Sequence, residues 1–270
     1  MSQVSTATIR KPSLVEVCRV QGCVIGALIL RELHTRYGRE NLGFLWIIAE
    51  PILFCAAVAV VWTAIRPPHD HGLPVTAIVI TGYVPLTMWR HCLMRAVKAF
   101  EANGSLLFHR QVTPLDIILS RVVLELMGTI AAGIIVCVGA ILLGFLKPPA
   151  DYGLLYLGLV YQMLFCLVTA LLVASLSELS ELVEKTVQVV SYVALPFTGA
   201  FSMVDWLPQN YRWLLLWSPS VSNIEMIRGG WFGTAVHVHY DLWYDTWMAG
   251  LLLLIGLSMT LRIRRHLIIQ

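Results

Sequence analysis

Six long apolar windows divide this chain of 270 residues, and their spacing limits what it can fold into. They cover 42–65, 74–97, 115–146, 152–176, 187–203 and 243–261. A helix needs about 20 mostly apolar residues to cross a hydrocarbon core of roughly 30 Å, and inside that core its backbone must satisfy itself. Helix-breaking or polar segments separate the windows: Pro67 and Pro68 before Asp70 and Gly72, Pro148 and Pro149 before Asp151, and a Ser/Glu-rich run at 175–185. Apolar residues make up 58% of the chain and charged residues 13%, which leaves little room for a soluble domain. The pattern predicts one all-α integral membrane domain over 1–270, with six transmembrane helices.

Charge sets the orientation. Arg10, Lys11, Arg19, Arg31, Arg36, Arg39, Lys98, Arg110, Lys185, Arg262, Arg264 and Arg265 fall on one side of a six-crossing arrangement. Arg66, Lys147, Arg212 and Arg228 fall on the other. The excess of cations marks the cytoplasmic side and puts both termini there. The third window is about 48 Å long as a helix, so its first turns, 116–125, are expected to leave the hydrocarbon. Cys18, Cys23, Cys55, Cys92, Cys137 and Cys166 avoid exterior loops and lack metal-ligand spacing, so neither disulfide nor zinc is expected.

Segment 14–40 reads as an amphipathic helix on the membrane surface. Leu14, Val17, Ile25, Leu28 and Ile29 can share one face, with Glu16, Arg19, Arg31 and Arg36 elsewhere. With Glu16 and Arg19 in its first turns, it does not read as a cleaved leader. Arg36 and Arg39 either fix orientation against lipid phosphates or receive an anionic substrate at the surface. Downstream, Trp46 and Glu50-Pro51 lie within the first apolar window. Glu50, Arg90, His91, Arg95, Arg121 and Glu125 are the ionisable residues inside spans, where such groups face a bundle interior or a wet cavity. Arg90 and Arg95 are close enough to a helix end to snorkel, and Arg121 and Glu125 have ion-pair spacing. Glu50 has no local partner and is expected to matter most.

Two connecting segments are not plain turns. The short loop 98–113 sets Leu106, Leu107 and Phe108 among Glu101, Asn103, His109 and Arg110. That apolar patch either docks into a soluble partner or packs back on its own bundle. Six of the nine tryptophans lie in 206–247, and the short apolar pieces of segment 204–242 are broken by Pro219, Gly229 and Gly230. It reads as an exterior re-entrant hairpin, its second short piece amphipathic. Its tryptophans either form an interfacial belt or present flat faces to sugar rings.

Several functions are disfavoured. There is no GxxxxGK[ST] phosphate loop. His69/His71 and His237/His239, each two residues apart on an exterior segment, make only a weak metal signal. No Ser–His–Asp site assembles on one side, and no basic surface interleaves with aromatics, so neither a catalytic site nor a nucleic-acid partner is expected. This chain is expected to carry no cofactor.

The motifs REL-x-TRYG-x-x-x-LGFLW-x-x-x-EP at 31–51, FEANGSLLFHRQVTPLD at 100–116 and LPQNYRWLLLWSPSVSNIEMIRGGWFG at 207–233 occur in this order. Together they make the chain resemble the inner-membrane permease of capsular polysaccharide ABC exporters, the second type of ABC exporter. The resemblance implies a homodimer in the bacterial inner membrane, bound to two copies of a separate cytoplasmic ATPase that carries ATP and magnesium. It implies a lipid-linked polysaccharide substrate, a periplasmic co-polymerase and an outer-membrane polysaccharide export protein. Glu101, Asn103, Leu106, Phe108 and Arg110 would belong to the segment that couples to the ATPase. Candidate path residues are Trp46, Glu50, Arg36, Arg39, Arg90, Arg95, Trp213, Trp217 and Trp231. Permeases for O-antigen or teichoic acid share the architecture and remain alternatives, as does an intramembrane enzyme acting on lipid-linked sugars.

Overall fold

The computed structural model describes residues 13–37, 43–65, 69–70, 72–107 and 112–269. Helix α1 (Leu14–Tyr37) precedes α2 (Gly43–Ile65). A two-residue antiparallel pair follows, β1 (His69–Asp70) with β2 (Leu73–Pro74), its turn helped by Gly72 at φ 81°. Next come α3 (Val75–Ala96), a 3-10 turn at Glu101–Asn103, the single turn α4 (Gly104–Leu107), α5 (Pro114–Leu142) and α6 (Tyr152–Leu179). The rest is α7 (Glu181–Val193), α8 (Gln209–Leu216), α9 (Pro219–Phe232) and α10 (Leu242–Ile269), joined by 3-10 turns.

Local chemistry sets the helix starts. The Thr113 hydroxyl accepts from the Asp116 N–H at 3.3 Å while the Asp116 carboxylate accepts from the Thr113 N–H at 2.8 Å. With Pro114 next to the cap, this reciprocal box fixes where α5 begins. Asp151 does the same for α6, accepting from the Leu154 N–H at 3.1 Å. The turn between the two helices needs Gly144 at φ 78°.

Among the described residues, four helices are long and apolar enough to cross a membrane: α2 over Ile48–Ile65, α5, α6 and α10 over Leu242–Ile263. The second window forms α3, which is as long but has its apolar run diluted by Arg90, His91 and Arg95. The fifth window is not one continuous helix. Helix α7 starts earlier, at Glu181, and runs for 13 residues, roughly 20 Å. It then gives way to a 3-10 turn at Leu195–Thr198 and Gly199 at φ 78°.

The centre of the bundle is α3, α6 and α9. Every residue of α9 from Ser220 to Gly230 is buried, so this short piece is enclosed rather than amphipathic. Small residues let it sit against α6. A Cβ on Gly230 would lie 2.4 Å from the Leu155 amide nitrogen, and one on Gly158 would lie 2.9 Å from the Asn223 carbonyl oxygen. Helix α10 closes over α6 with hydroxyl pairs, Tyr161–Thr246 at 2.7 Å and Ser175–Thr260 at 3.1 Å. In contrast, α2 leaves Leu45, Trp46, Leu53, Val60 and Val61 uncovered, and Cys55 is its buried core residue. Among the side chains described in α1, Leu28 and Glu32 are buried, while Val17 of its expected apolar face is exposed.

Candidate functional site

Polar contacts join α1 to the start of α5 and to the segment after α3. Gln21 donates to the Asp116 carboxylate. The Arg31 guanidinium donates to Asn103 Oδ1 at 2.9 Å, and Glu32 Oε1 lies 3.2 Å from Arg121 Nε. Arg121 also donates to the Arg95 carbonyl at 2.9 Å. Asn103, itself buried, donates to the Ala99 carbonyl at 2.9 Å. Of these, Arg31, Glu32, Arg95, Asn103 and Arg121 help wall a polar cavity of about 390 Å³.

A second charged group lies one turn deeper. Arg95 Nε is 3.2 Å from Glu125 Oε1. The His91 ring stands between two carboxylates, with Nδ1 3.8 Å from Glu125 and Nε2 3.9 Å from Glu50. Glu50 therefore has a partner on a neighbouring helix, which the sequence could not supply. The side chain of Glu125 is only 3% exposed and that of Glu50 is 50% exposed, so Glu125 is the carboxylate this packing depends on. Arg90 places its guanidinium 4.5 Å from the Tyr192 ring centroid on α7, a cation–π contact rather than a free snorkelling end.

The segment after α3 turns sharply at Lys98, a non-glycine residue at φ 50°. The Lys98 N–H donates to Ser177 Oγ at 3.0 Å, and its ammonium lies 2.6 Å from Glu101 and 3.6 Å from Glu184. The Glu101 hydrogen bond holds the Lys98 ammonium above its usual pKa. Glu101, Ala102 and Ser105 are exposed and Leu106 is half-buried, while Leu107 packs on the main core. Part of the expected surface patch thus folds back on the bundle. Phe108 and Arg110 lie outside the described residues, as does Arg39; of Arg36 only the backbone, in α1, is described.

The three path tryptophans do not form one surface. Trp213 and Trp217, at and just after α8, are 59% and 74% exposed. Trp231 points inward, donating to the Lys147 carbonyl at 2.8 Å and lining an apolar cavity of about 470 Å³ with Ile80, Val84, Met88 and Tyr156. Trp46 is exposed on α2.

The polar interior of α9 is not apparent from sequence. Arg228 is fully buried and donates to the carbonyls of Ala200 at 2.6 Å, Gly199 at 2.8 Å and Ser202 at 3.0 Å. Glu225 accepts from the Val204 and His239 N–H groups at 3.1 and 3.2 Å. Asn223 donates to Gln162, which donates to the Pro85 carbonyl. The available clue was the density of polar and glycine residues in 220–230.

A bundle of apolar helices, with a charged seam at one end and a short buried helix at its centre, is the frame of a helical membrane protein. Residues 24–232 match the ABC-2 type transporter family, and the chain belongs to it. It is 37% identical over 251 residues to the capsule polysaccharide export inner-membrane protein CtrC of Neisseria meningitidis serogroup B, covering 93% of this chain and 95% of the relative. The capsule polysaccharide export inner-membrane protein BexB of Haemophilus influenzae is 36% identical, with 89% and 91% covered. The polysialic acid transport protein KpsM of Escherichia coli is 27% identical, with 82% and 87% covered.

Proposed function

We propose that this chain is the permease subunit of an ATP-driven exporter that moves lipid-linked capsular polysaccharide from the cytoplasm across the bacterial inner membrane. The observation that carries the reading is the likeness to two capsule export inner-membrane proteins along nine-tenths of their length. In this reading the working unit is a homodimer with two copies of a cytoplasmic ATPase, which binds ATP and magnesium. A periplasmic co-polymerase and an outer-membrane export protein complete the route. The chain crosses six times, α7 and its following turn completing the fifth crossing, with both termini in the cytoplasm and 204–242 re-entrant from the outside.

The segment at Glu101, Asn103, Leu106, Phe108 and Arg110 couples to the ATPase. Exposed Glu101 above a core-anchored Leu107 supports this, since such a lever offers a surface to a partner while its base is held. Arg36, Arg39, Arg90 and Arg95 draw anionic groups to the entry, and Trp46, Glu50, Trp213, Trp217 and Trp231 contribute to the path. The exposed apolar face of α2 suits a second copy or lipid.

The test is complementation of an encapsulated strain deleted for its own permease, with the chain supplied beside its neighbouring ATPase. Restored surface polymer and co-purification of the ATPase are expected. Glu101→Ala should insert normally yet lower ATP turnover of the complex. No restoration by well-inserted wild type, or unchanged surface polymer after charge reversal at both Arg36 and Arg39, counts against the respective claims.

A further inference from the structure

We infer that the apolar cavity between α3, α5, α6 and α9 holds one acyl chain of a bilayer phospholipid, drawn from the leaflet on the side of the α5–α6 connection. Naming that leaflet the outer one rests on the orientation proposed above; the chain site itself does not. The cavity, of about 470 Å³, begins beside that connection, at Pro149, Tyr152 and Trp231, and ends at Met88, Ile130 and Met163. Tyr152 and Met163 stand about 16 Å apart along α6, as do Ile141 and Ile130 along α5. That is the depth of one leaflet, half of a hydrocarbon core of roughly 30 Å. The space runs along the helices, as an acyl chain does, and stops where a chain stops.

The packing holds this space open. A Cβ on Gly133 would lie 2.8 Å from Val84 Cγ1, so α5 already touches α3. Helix α6 is equally fixed on α9, by Gly158 against the Asn223 carbonyl and Gly230 against the Leu155 backbone. Neither helix can move inward to close the gap between α5 and α6. Left empty, the gap would forfeit the dispersion contacts of its walls, and water finds too few partners there. Among the described lining residues none is charged, and the polar groups of Thr81 and Trp231 are committed to the Ala77 and Lys147 carbonyls, each at 2.8 Å. What reaches the mouth is bilayer. Ile134 and Val138 on α5, and Tyr156 and Val160 on α6, expose 49–61% of their surfaces from two helices apolar enough to span it. A chain entering from the bilayer gains no hydrophobic free energy, since it leaves one apolar medium for another; it gains fixed walls. An occupant held by such contacts is selected by its chain and not by its headgroup.

The experiment places the full-length chain in phosphatidylethanolamine nanodiscs with a trace of the same lipid carrying a diazirine near the end of one acyl chain. Adducts are mapped by mass spectrometry after irradiation. Met88 is the reporter, because it is 1% exposed and bulk lipid does not reach it. Adducts are expected at Met88 and Met163 as well as at Leu254, which faces outward on α10. Cys137→Phe, which fills the cavity, should lower the Met88 and Met163 adducts about fivefold and leave those at Leu254 unchanged. Should that variant fail to fold, Val138→Trp obstructs the mouth from an exposed position and should lower the same adducts. No adduct at Met88 or Met163 in wild type, or adducts unchanged in a folded variant, overturns the site. The same probe with a phosphatidylglycerol headgroup should label equally, and labelling by that probe alone would overturn selection by the chain. Disulfide cross-linking of Val160→Cys between copies, beyond that of wild type and with Met88 unlabelled, assigns the mouth to a second copy and also overturns the site. Labelling needs neither ATPase nor polymer. Export restored with Met88 unlabelled therefore removes this site alone, and Met88 labelled without export removes the exporter reading alone.

Discussion

The guanidinium of Arg228 donates to the carbonyl oxygen of Ala200 at 2.6 Å, deep enough in the bundle that Arg228 has no exposed surface. Two further carbonyls, of Gly199 and Ser202, bind the same guanidinium at 2.8 and 3.0 Å. The chain leaves helical geometry at Gly199, so these carbonyls have no helix partners of their own. Arg228 supplies the missing donors and thereby fixes the connection after α7 to α9.

Replacing Arg228 with Met keeps much of the volume and leaves three buried acceptors without donors. Each loss costs roughly 1–3 kcal/mol where water cannot replace the donor. Arg228→Met should therefore lower the thermal midpoint in fluorescence-detected size exclusion by many degrees or abolish the monodisperse peak. Arg228→Lys, with a point charge in place of the fork, should fall between. A midpoint unchanged in Arg228→Met would mean the carbonyls find other donors.

The α6–α9 crossing predicts a contrast among glycines. A Cβ at Gly230 meets the Leu155 backbone at 2.4 Å and one at Gly82 meets the Ala200 carbonyl oxygen at 2.0 Å, while one at Gly139 meets nothing within 4 Å. Backbone cannot move aside as a side-chain tip can. Gly230→Ala and Gly82→Ala should each destabilise by roughly 2–3 kcal/mol, in the range of overpacked cores. Gly139→Ala, inside α5, should be neutral or slightly stabilising from helix propensity. Comparing yields of monodisperse protein for the three checks this.

Glu125 and Glu50 reverse the weight that sequence reasoning assigns them. Glu125 is buried against Arg95 at 3.2 Å and His91 at 3.8 Å; Glu50 is half exposed and reaches His91 only at 3.9 Å. Losing Glu125 strands Arg95, whose side chain is 46% exposed and can reach solvent, so the cost falls below the roughly 3–5 kcal/mol of a fully buried pair. A half-exposed pair such as Glu50–His91 contributes about 1 kcal/mol or less. Glu125→Ala should thus be less stable than Glu50→Ala, and a double Glu125→Ala, Arg95→Met variant should recover part of the loss. If Glu50→Ala proved the more damaging to the thermal midpoint, the exposed face of α2 would have to be covered by something that buries Glu50.

Periodicity and length marked out α5, α6 and α10, because a spanning helix needs only a run of apolar residues and a stop. The fifth window misled for the same reason. Apolar content at 187–203 persists through Pro196 and Gly199, which bend the chain without adding polarity. The ionic seam was legible as residue types and not as pairs. Glu32 and Arg121 sit on α1 and α5, far apart in sequence, and the opposite charges four residues along from each, Arg36 and Glu125, offered ion pairs of ideal spacing. Arg228 shows the limit most clearly, since its acceptors are backbone carbonyls that no side-chain pattern records.

Lys98 offers the last test. It adopts φ 50° at the turn leading to the proposed coupling segment, and an L-residue in that region costs about 1–2 kcal/mol. The same side chain holds Glu101 at 2.6 Å and Glu184 at 3.6 Å. Lys98→Ala keeps the strain and loses the bridges; Lys98→Gly loses both. Glycine also frees the unfolded chain, which offsets part of its advantage. The glycine variant should therefore be more stable than the alanine variant by roughly 0.5–1 kcal/mol, although both lack the bridges. If the turn also fixes the angle at which Glu101 is presented, the glycine variant should lose more ATP turnover in the complex than the alanine variant despite its higher thermal midpoint. A glycine variant that is both more stable and fully coupled would show that the strained turn serves packing alone.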